Sequence, residues 1–263
     1  MLGMVTPPSV YFLMRLPIIP QNFNKINTFF KKFSIFCFLF FCAIIIKKKR
    51  RDILKSCTVF CAGQFDEMVC PPKKDELIIA ADGGLKHLQQ LGITPTVIIG
   101  DFDSLGYVPE GAQVFPVEKD DTDSMLAIRH GLAAGCKQFI LYGALDGPRH
   151  DHTIANYQSL CYLANHGAIG YLVGKDVIVT AIKNSSMVFP ESTAGIFSAF
   201  CMGATAKGIT LEGFQYPLQD GSLDSFFPLG VSNHFTGAEA TVTVKDGCLL
   251  LFYPRKAGIV PVL

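Results

Sequence analysis

The chain has 263 residues, 49% of them hydrophobic and 17% charged, enough for one large domain or two modest ones whose cores need no covalent staple. Its formal net charge of +1 conceals an uneven distribution, because residues 1–52 hold nine Lys or Arg and one acid, which leaves 14 of the 23 bases but 21 of the 22 acids to the remainder. An acidic body excludes a reader of nucleic-acid backbone, which needs a basic face, so no nucleic-acid partner is expected and any bound phosphate would rely on metal or backbone amides.

In chain order, the first feature is the run FSIFCFLFFCAIII at residues 33–46, between Lys31-Lys32 and the basic block at 47–51. At 14 residues it is short for a spanning helix, and it ends in lysines rather than in a small-residue cleavage site. Residues 1–52 carry nine of the chain's 22 Phe, with many Ile, Asn and Lys, residues with A- and T-rich codons. Residues 1–52 therefore read as upstream DNA translated from a misplaced start, with Lys-Lys-Lys-Arg-Arg as the coding of a purine-rich ribosome-binding sequence. A genuine membrane anchor is the alternative. On the first reading the protein is cytoplasmic, and residues 53–263 suffice for folding and activity.

From Cys57 to about Ile182, short apolar runs alternate with helical patterns. CTVFCAG, ELIIAADGG, TVIIGDFDS, AQVFPVE, QFILYGA and IGYLVG read as strands. LKHLQQLG, DSMLAIRHGLAAG and HDHTIANYQSLCYLANHG read as helices ending at Gly92, Gly135 and Gly167. This alternation predicts an α/β domain over 53–182 with a parallel sheet covered on both faces. After residue 183 the helical period is lost, and SMVFP, GIFSAFCM, GITLEG, EATVTV and CLLLFYP predict a small antiparallel β-sandwich over 183–263, with turns at Gln219-Asp220-Gly221 and Lys245-Asp246-Gly247. The nine cysteines lie in apolar runs without a C-x-x-C pair and read as reduced core residues. Zinc on Cys57, Cys61 and Cys70 would lack a fourth ligand.

The acids fall where a parallel sheet binds ligands. Asp82, then Asp101 and Asp103, then Asp121 and Asp123 each follow a strand candidate, at the carboxyl end. In extended backbone Asp101 and Asp103 would face one side about 6 to 7 Å apart. Carboxylates gathered without compensating bases call for a cation, and oxygen-only ligands favour Mg2+. Gly83 and Gly84 would let helix-start amides approach an anion, or simply form a tight turn. Asp121 or Thr122 is expected to cap the next helix, which leaves Asp123 in its first turn. In the loop from Gly143 to His152, Arg149 can clamp phosphate and Asp151 can meet a polar substrate. His150 and His152 read as ordinary loop and helix-start residues.

The motifs A-D-G-G, I-I-G-D-F-D-S, D-x-T-D and G-x-x-x-x-x-R-x-D-H, in that order and spacing, resemble thiamine pyrophosphokinases. Gly208 to Leu223 and Gly230-Val231-Ser232-Asn233 resemble that family's β-domain motifs, so the likeness runs from about Cys57 to Phe252. The resemblance implies an α/β nucleotide-binding domain joined to a β-sandwich, a homodimer, and conversion of thiamine and ATP to thiamine diphosphate and AMP. It implies that Asp101, Asp103 and Asp123 surround Mg2+ and the ATP phosphates, with Asp82 at the same site and Gly83, Gly84, Lys119 and Asp120 on the nucleotide side. Asp151 and Arg149 would face substrate, and Ser232 and Asn233 would reach thiamine from the partner subunit. Some members have glutamine in place of Lys119, and Phe227-Pro228-Leu229 replaces small polar residues that often precede Ser-Asn. The rival readings are a Mg2+-dependent phosphatase, against which Leu105 counts, a glycosyltransferase, and a nucleotide-binding regulator without turnover.

Overall fold

Six runs pair side by side in parallel: β1 (Ser56–Phe60), β2 (Leu77–Ala81), β3 (Val97–Gly100), β4 (Gln113–Val114), β5 (Gln138–Tyr142) and β6 (Ile169–Val173). They stand in the order β6-β5-β1-β2-β3-β4 in the computed structural model, which describes residues 55–262. The upstream-start and anchor readings of the N-terminal segment lie outside the described residues. Among the described residues no helix is long and apolar enough to cross a membrane.

The crossovers are α1 (Leu85–Leu91), α2 (Asp123–Ala133) and α3 (His150–Asn165). Each is followed by one of the predicted glycines in a left-handed conformation, Gly92, Gly135 or Gly167. The cap of α2 is Thr122, whose hydroxyl accepts from the Met125 amide at 3.2 Å. Period-two alternation in β1 sends Cys57 and Val59 into a core with Ile128 of α2 and Leu160 and Leu163 of α3. Phe60 points the other way, into a core with Leu85 and Leu88 of α1. The parallel sheet is therefore covered on both faces, as its near-continuous apolar strands require. The seven described cysteines are unpaired, five of them buried, and they form no metal-ligating group.

The sequence reading did not mark β7 (Val177–Lys183), which follows β6 after only Gly174, Lys175 and Asp176 and runs antiparallel to it. Its central residues are buried on both faces, so it lacks the alternation that marks a half-exposed strand. Through β7 the sheet continues into β14 (Cys248–Pro254), β9 (Ile196–Cys201) and β12 (Asn233–His234), making ten strands in all. The other C-terminal strands, β8 (Ser186–Phe189), β10 (Ala206–Glu212), β11 (Leu218–Leu223) and β13 (Ala240–Thr243), form a separate antiparallel sheet in the order β11-β10-β13-β8. The predicted sandwich is present, but one of its layers is the extension of the parallel sheet, and the described residues 55–262 fall in one unit. Gln219-Asp220-Gly221 lies inside β11 rather than in a turn. Asp220 has φ 49° where the β10–β11 register shifts, and a bulge demands the same residues as a turn.

The layers are joined by Phe189 of β8, whose ring lies 6.0 Å from that of Phe197 on β9 and 5.1 Å from that of Tyr253 on β14, all three fully buried. Each such ring contributes about 1.5 to 3 kcal/mol relative to exposure. In the parallel part of the sheet, the start of α1 is pressed against β1. A Cβ on Gly84 would lie 1.9 Å from the Phe60 carbonyl oxygen, and one on Gly83 2.9 Å from the Ala62 Cβ. Gly84→Ala is therefore expected to destabilise the fold by about 2 to 4 kcal/mol. Urea unfolding checks this, and a loss below about 0.5 kcal/mol would contradict the close approach.

Candidate active site

Strand order reverses between β1 and β5, since β1 leads through β2 and β3 to one edge and β5 leads to β6 on the other side. In open α/β sheets such a switch point leaves a crevice beyond the strands' carboxyl ends. Here it is a cleft of about 520 Å3 whose floor includes Cys61 to Gly63 after β1 and Gly143 to Leu145 after β5. The two loops are tied together by the Gly63 amide donating to the Gly143 carbonyl at 2.9 Å and the Gln64 amide donating to the Asp146 carbonyl at 2.9 Å. Gly143 has φ 66°, and a Cβ there would lie 2.4 Å from the Cys61 carbonyl oxygen, so only glycine fits.

Asp82 leaves β2, while Asp101 and Asp103 leave β3, and carboxylate oxygens of all three lie within 4.8 Å of one another. The convergence is tighter than an extended D-x-D would give, because Phe102 adopts φ 62° with its ring buried and turns the chain between the two acids. Asp82 is also left-handed, at φ 47°. Non-glycine residues in this region cost about 1 to 3 kcal/mol each and concentrate at functional sites. The Ser104 hydroxyl donates to Asp82 Oδ2 at 2.5 Å, while Asp82 Oδ1 is buried without a hydrogen-bond partner. An unpartnered buried carboxylate oxygen beside two further carboxylates fits a hard divalent cation, for which oxygen donors are the preferred ligands.

Asp123 reaches this group indirectly. The Lys119 ammonium lies 2.6 Å from Asp101 Oδ2 and 3.0 Å from Asp123 Oδ1. The hydrogen bond from Lys119 holds the Asp101 carboxyl below the usual carboxylate range. Burial lifts that of Asp123 above it, with the ion pair to Lys119 opposing the shift. Burial works against the Lys119 ammonium, but its two acidic partners outweigh this and raise it above the usual lysine range. Asp120 does not line the cleft. Asp121 does, and pairs with Arg129 Nε at 3.3 Å.

On the opposite wall Arg149 lines the cleft and Asp151 does not. The two form an exposed pair with 2.5 Å between Nη2 and Oδ2, and Arg149 pulls the Asp151 carboxyl down to about 2. His152 and Thr153 also line the cleft, and no described histidine belongs to a metal-ligating group. The sequence reading missed Ser124 and Asn156. The Ser124 hydroxyl donates to Asn156 Oδ1 at 2.9 Å, and buried Asn156 Nδ2 donates to the Ala144 carbonyl at 2.6 Å, which locks the start of α2, the β5 loop and α3 together. The available signal was an amide one helical turn after His152, on the same face. Ser232 and Asn233 lie away from the cleft. Asn233 is buried and spends both side-chain atoms on the Tyr216 backbone, at 2.9 and 2.7 Å, whereas Ser232 is exposed with φ 61°.

Two family profiles match: "Thiamin pyrophosphokinase, catalytic domain" over residues 72–169 and "Thiamin pyrophosphokinase, vitamin B1 binding domain" over residues 188–249. The chain belongs to the thiamin pyrophosphokinase family. The three clustered acids and Asp123 all fall within the first match, and most of the separate antiparallel sheet falls within the second. A curated thiamine pyrophosphokinase of Bacillus subtilis (strain 168) is 26% identical over 191 residues, 66% of this chain and 86% of that protein. A crystal structure of thiamine pyrophosphokinase from Bacillus subtilis shares the fold with TM-score 0.68 at 21% identity, over 76% of this chain and 99% of the other. Yeast thiamin pyrophosphokinase does so with TM-score 0.61 at 14% identity, over 78% and 88%.

The wall built on Asn156 gives a direct test. Asn156→Leu removes the side-chain donor from the Ala144 carbonyl and leaves the Ser124 hydroxyl only the Thr122 hydroxyl at 3.0 Å, a loss expected at about 1 to 3 kcal/mol. Thermal unfolding that matches the parent protein would show that the network holds nothing.

Proposed function

We propose that this protein transfers diphosphate from ATP to the hydroxyl of thiamine, giving thiamine diphosphate and AMP. The observation that carries this is the convergence of Asp82, Asp101 and Asp103 at the switch point of a thiamin pyrophosphokinase-family sheet, with Lys119 and Asp123 beside them. Asp101 and Asp103, together with Asp82, are the residues we assign to hold Mg2+, and Asp123 extends the same acidic wall. When bound, Mg2+ neutralises charge on the phosphoryl oxygens. The chain's own part is to position reactants for in-line attack of the thiamine hydroxyl on the β-phosphorus, with AMP leaving and a carboxylate of the wall accepting the hydroxyl proton.

Lys119 and Asp120 are assigned to the nucleotide side, and Arg149 on the facing loop to phosphate. Gly83 and Gly84, both buried, act by letting α1 approach β1 so that Asp82 is aimed at the cluster. Asp151, outside the cleft lining, is assigned to the substrate side through its ion pair with Arg149. The acidic wall also favours thiamine, whose thiazolium ring carries a fixed positive charge. On this reading residues 53–182 form the ATP and Mg2+ domain and residues 183–263 the thiamine-binding and dimerisation domain, a division that the two profile matches support. Use of ATP supports a cytoplasmic setting.

We assign Ser232 to the thiamine site of a partner subunit in a homodimer, and Asn233, buried and bonded to the Tyr216 backbone, to holding that segment in place. Phe226, Phe227 and Leu229, just before them, are 96%, 65% and 62% exposed, and apolar side chains clustered on a surface favour an interface. Light scattering is expected to give about twice the 28.7 kDa chain mass, and a fully active monomer would overturn the shared-site arrangement.

Purified protein given ATP, Mg2+ and thiamine is expected to release AMP with thiamine diphosphate. Release of inorganic phosphate without thiamine diphosphate would favour the phosphatase instead. Asp103→Asn should lower turnover by about 100-fold or more. Because Asp103 is exposed, stability should not change. Near-parental turnover of this variant in limiting Mg2+ would remove Asp103 from the cation site.

A further inference from the structure

Asp101 joins two sets of contacts. Its Oδ2 takes the Lys119 ammonium at 2.6 Å, while its Oδ1 accepts from the Asp103 amide at 3.3 Å, within the group that includes Asp82. Lys119 is thus not a surface lysine near an acidic patch. Its side chain is 13% exposed and that of Asp101 11%, less than a surface pair although both line the cleft, and Lys119 makes a second contact with half-buried Asp123, four residues ahead at the start of α2. A partly buried ion pair is screened less than a surface pair, so its charge acts more strongly on its neighbours.

We infer that Lys119 is the site's built-in counter-cation: it positions Asp101 and Asp123 by neutralising them, and in doing so it competes with a divalent cation for Asp101. Two consequences follow from one contact. Without the ammonium, Asp123 is left as a partly buried carboxylate with no cation near it and Asp101 loses its anchor, so the cation-free fold weakens. The same loss removes a positive charge from beside the carboxylates of Asp82, Asp101 and Asp103, so a divalent cation binds there more tightly. A lysine that serves only to anchor nucleotide phosphate would produce neither effect. Nor would a merely structural lysine tighten cation binding.

The proposal rests on the cleft being a metal–phosphate site, but its test uses neither substrate nor turnover. Full-length protein is stripped with EDTA, and Mg2+ alone is titrated in by calorimetry and by thermal unfolding. Lys119→Met is expected to lower the cation-free melting temperature by about 4 to 8 °C and to tighten Mg2+ binding about tenfold. Lys119→Arg, which keeps the charge, should restore both towards the parent. Unchanged or weaker Mg2+ binding by a folded Lys119→Met variant overturns the competition. Should Lys119→Met fail to fold, the variant Lys119→Met with Asp101→Asn and Asp123→Asn decides instead: it leaves neither partner carboxylate unpaired, so recovery of folded protein supports the counter-cation role and continued failure overturns it. Absence of thiamine turnover in the parent protein, with these shifts intact, would refute the proposed reaction and leave Lys119's role standing.

Discussion

Carboxylates crowded at the ends of neighbouring parallel strands repel one another, and that repulsion is the constraint around which the catalytic half is organised. Asp82, Asp101 and Asp103 bring oxygens within 4.8 Å of one another, and Asp123 lies just beyond, with Lys119 paired to Asp101 and Asp123 and Arg149 on the facing loop. Such a cluster persists only because the surrounding structure determines it. Phe102 buries its ring to fix the turn between two acids, and Ser104 ties down one oxygen of Asp82. Gly84 gives up its side chain so that α1 can press against β1. Two left-handed non-glycine residues within this small region mark where the fold spends stability on geometry.

The sheet provides the frame. Reversal of strand order between β1 and β5 opens the crevice, and the hydrogen bonds from Gly63 and Gln64 to the β5 loop fix its width. Antiparallel pairing of β7 with β6 then carries the same sheet into the C-terminal half, where the four-stranded sheet closes over it around Phe189, Phe197 and Tyr253. A continuous sheet couples the two halves mechanically, so a ligand shared between the cleft and the C-terminal strands would act on one framework rather than across a hinge.

Much of this was legible in the sequence. The six parallel strands, three helices and their glycine stops follow from apolar runs and periodicity, and the acidic strand ends mark the cleft. What was not legible involves contacts between distant segments or backbone inversions. β7 carries no alternation because both its faces are buried, and the Asp220 bulge has the composition of a turn. Asp101 and Asp103 look extended in D-F-D, but Phe102 inverts the chain. The separation of Asp123 from the Asp82 group depends on where the Lys119 side chain lies, which no spacing specifies. Asn156 reads as one polar residue in a helix, and its role appears only with Ser124 and Ala144 beside it.

The central claim is that the oxygens of Asp82, Asp101 and Asp103 form a divalent-cation site, with Lys119 holding the adjoining pair. Diffraction from crystals soaked in Mn2+, recorded at the manganese absorption edge, locates such an ion directly. The account predicts one anomalous peak within ligand distance, about 2.0 to 2.3 Å, of oxygens from these three aspartates. A peak between Asp101 and Asp123 in the place of the Lys119 ammonium, or no peak in the cleft at saturating Mn2+, would contradict it.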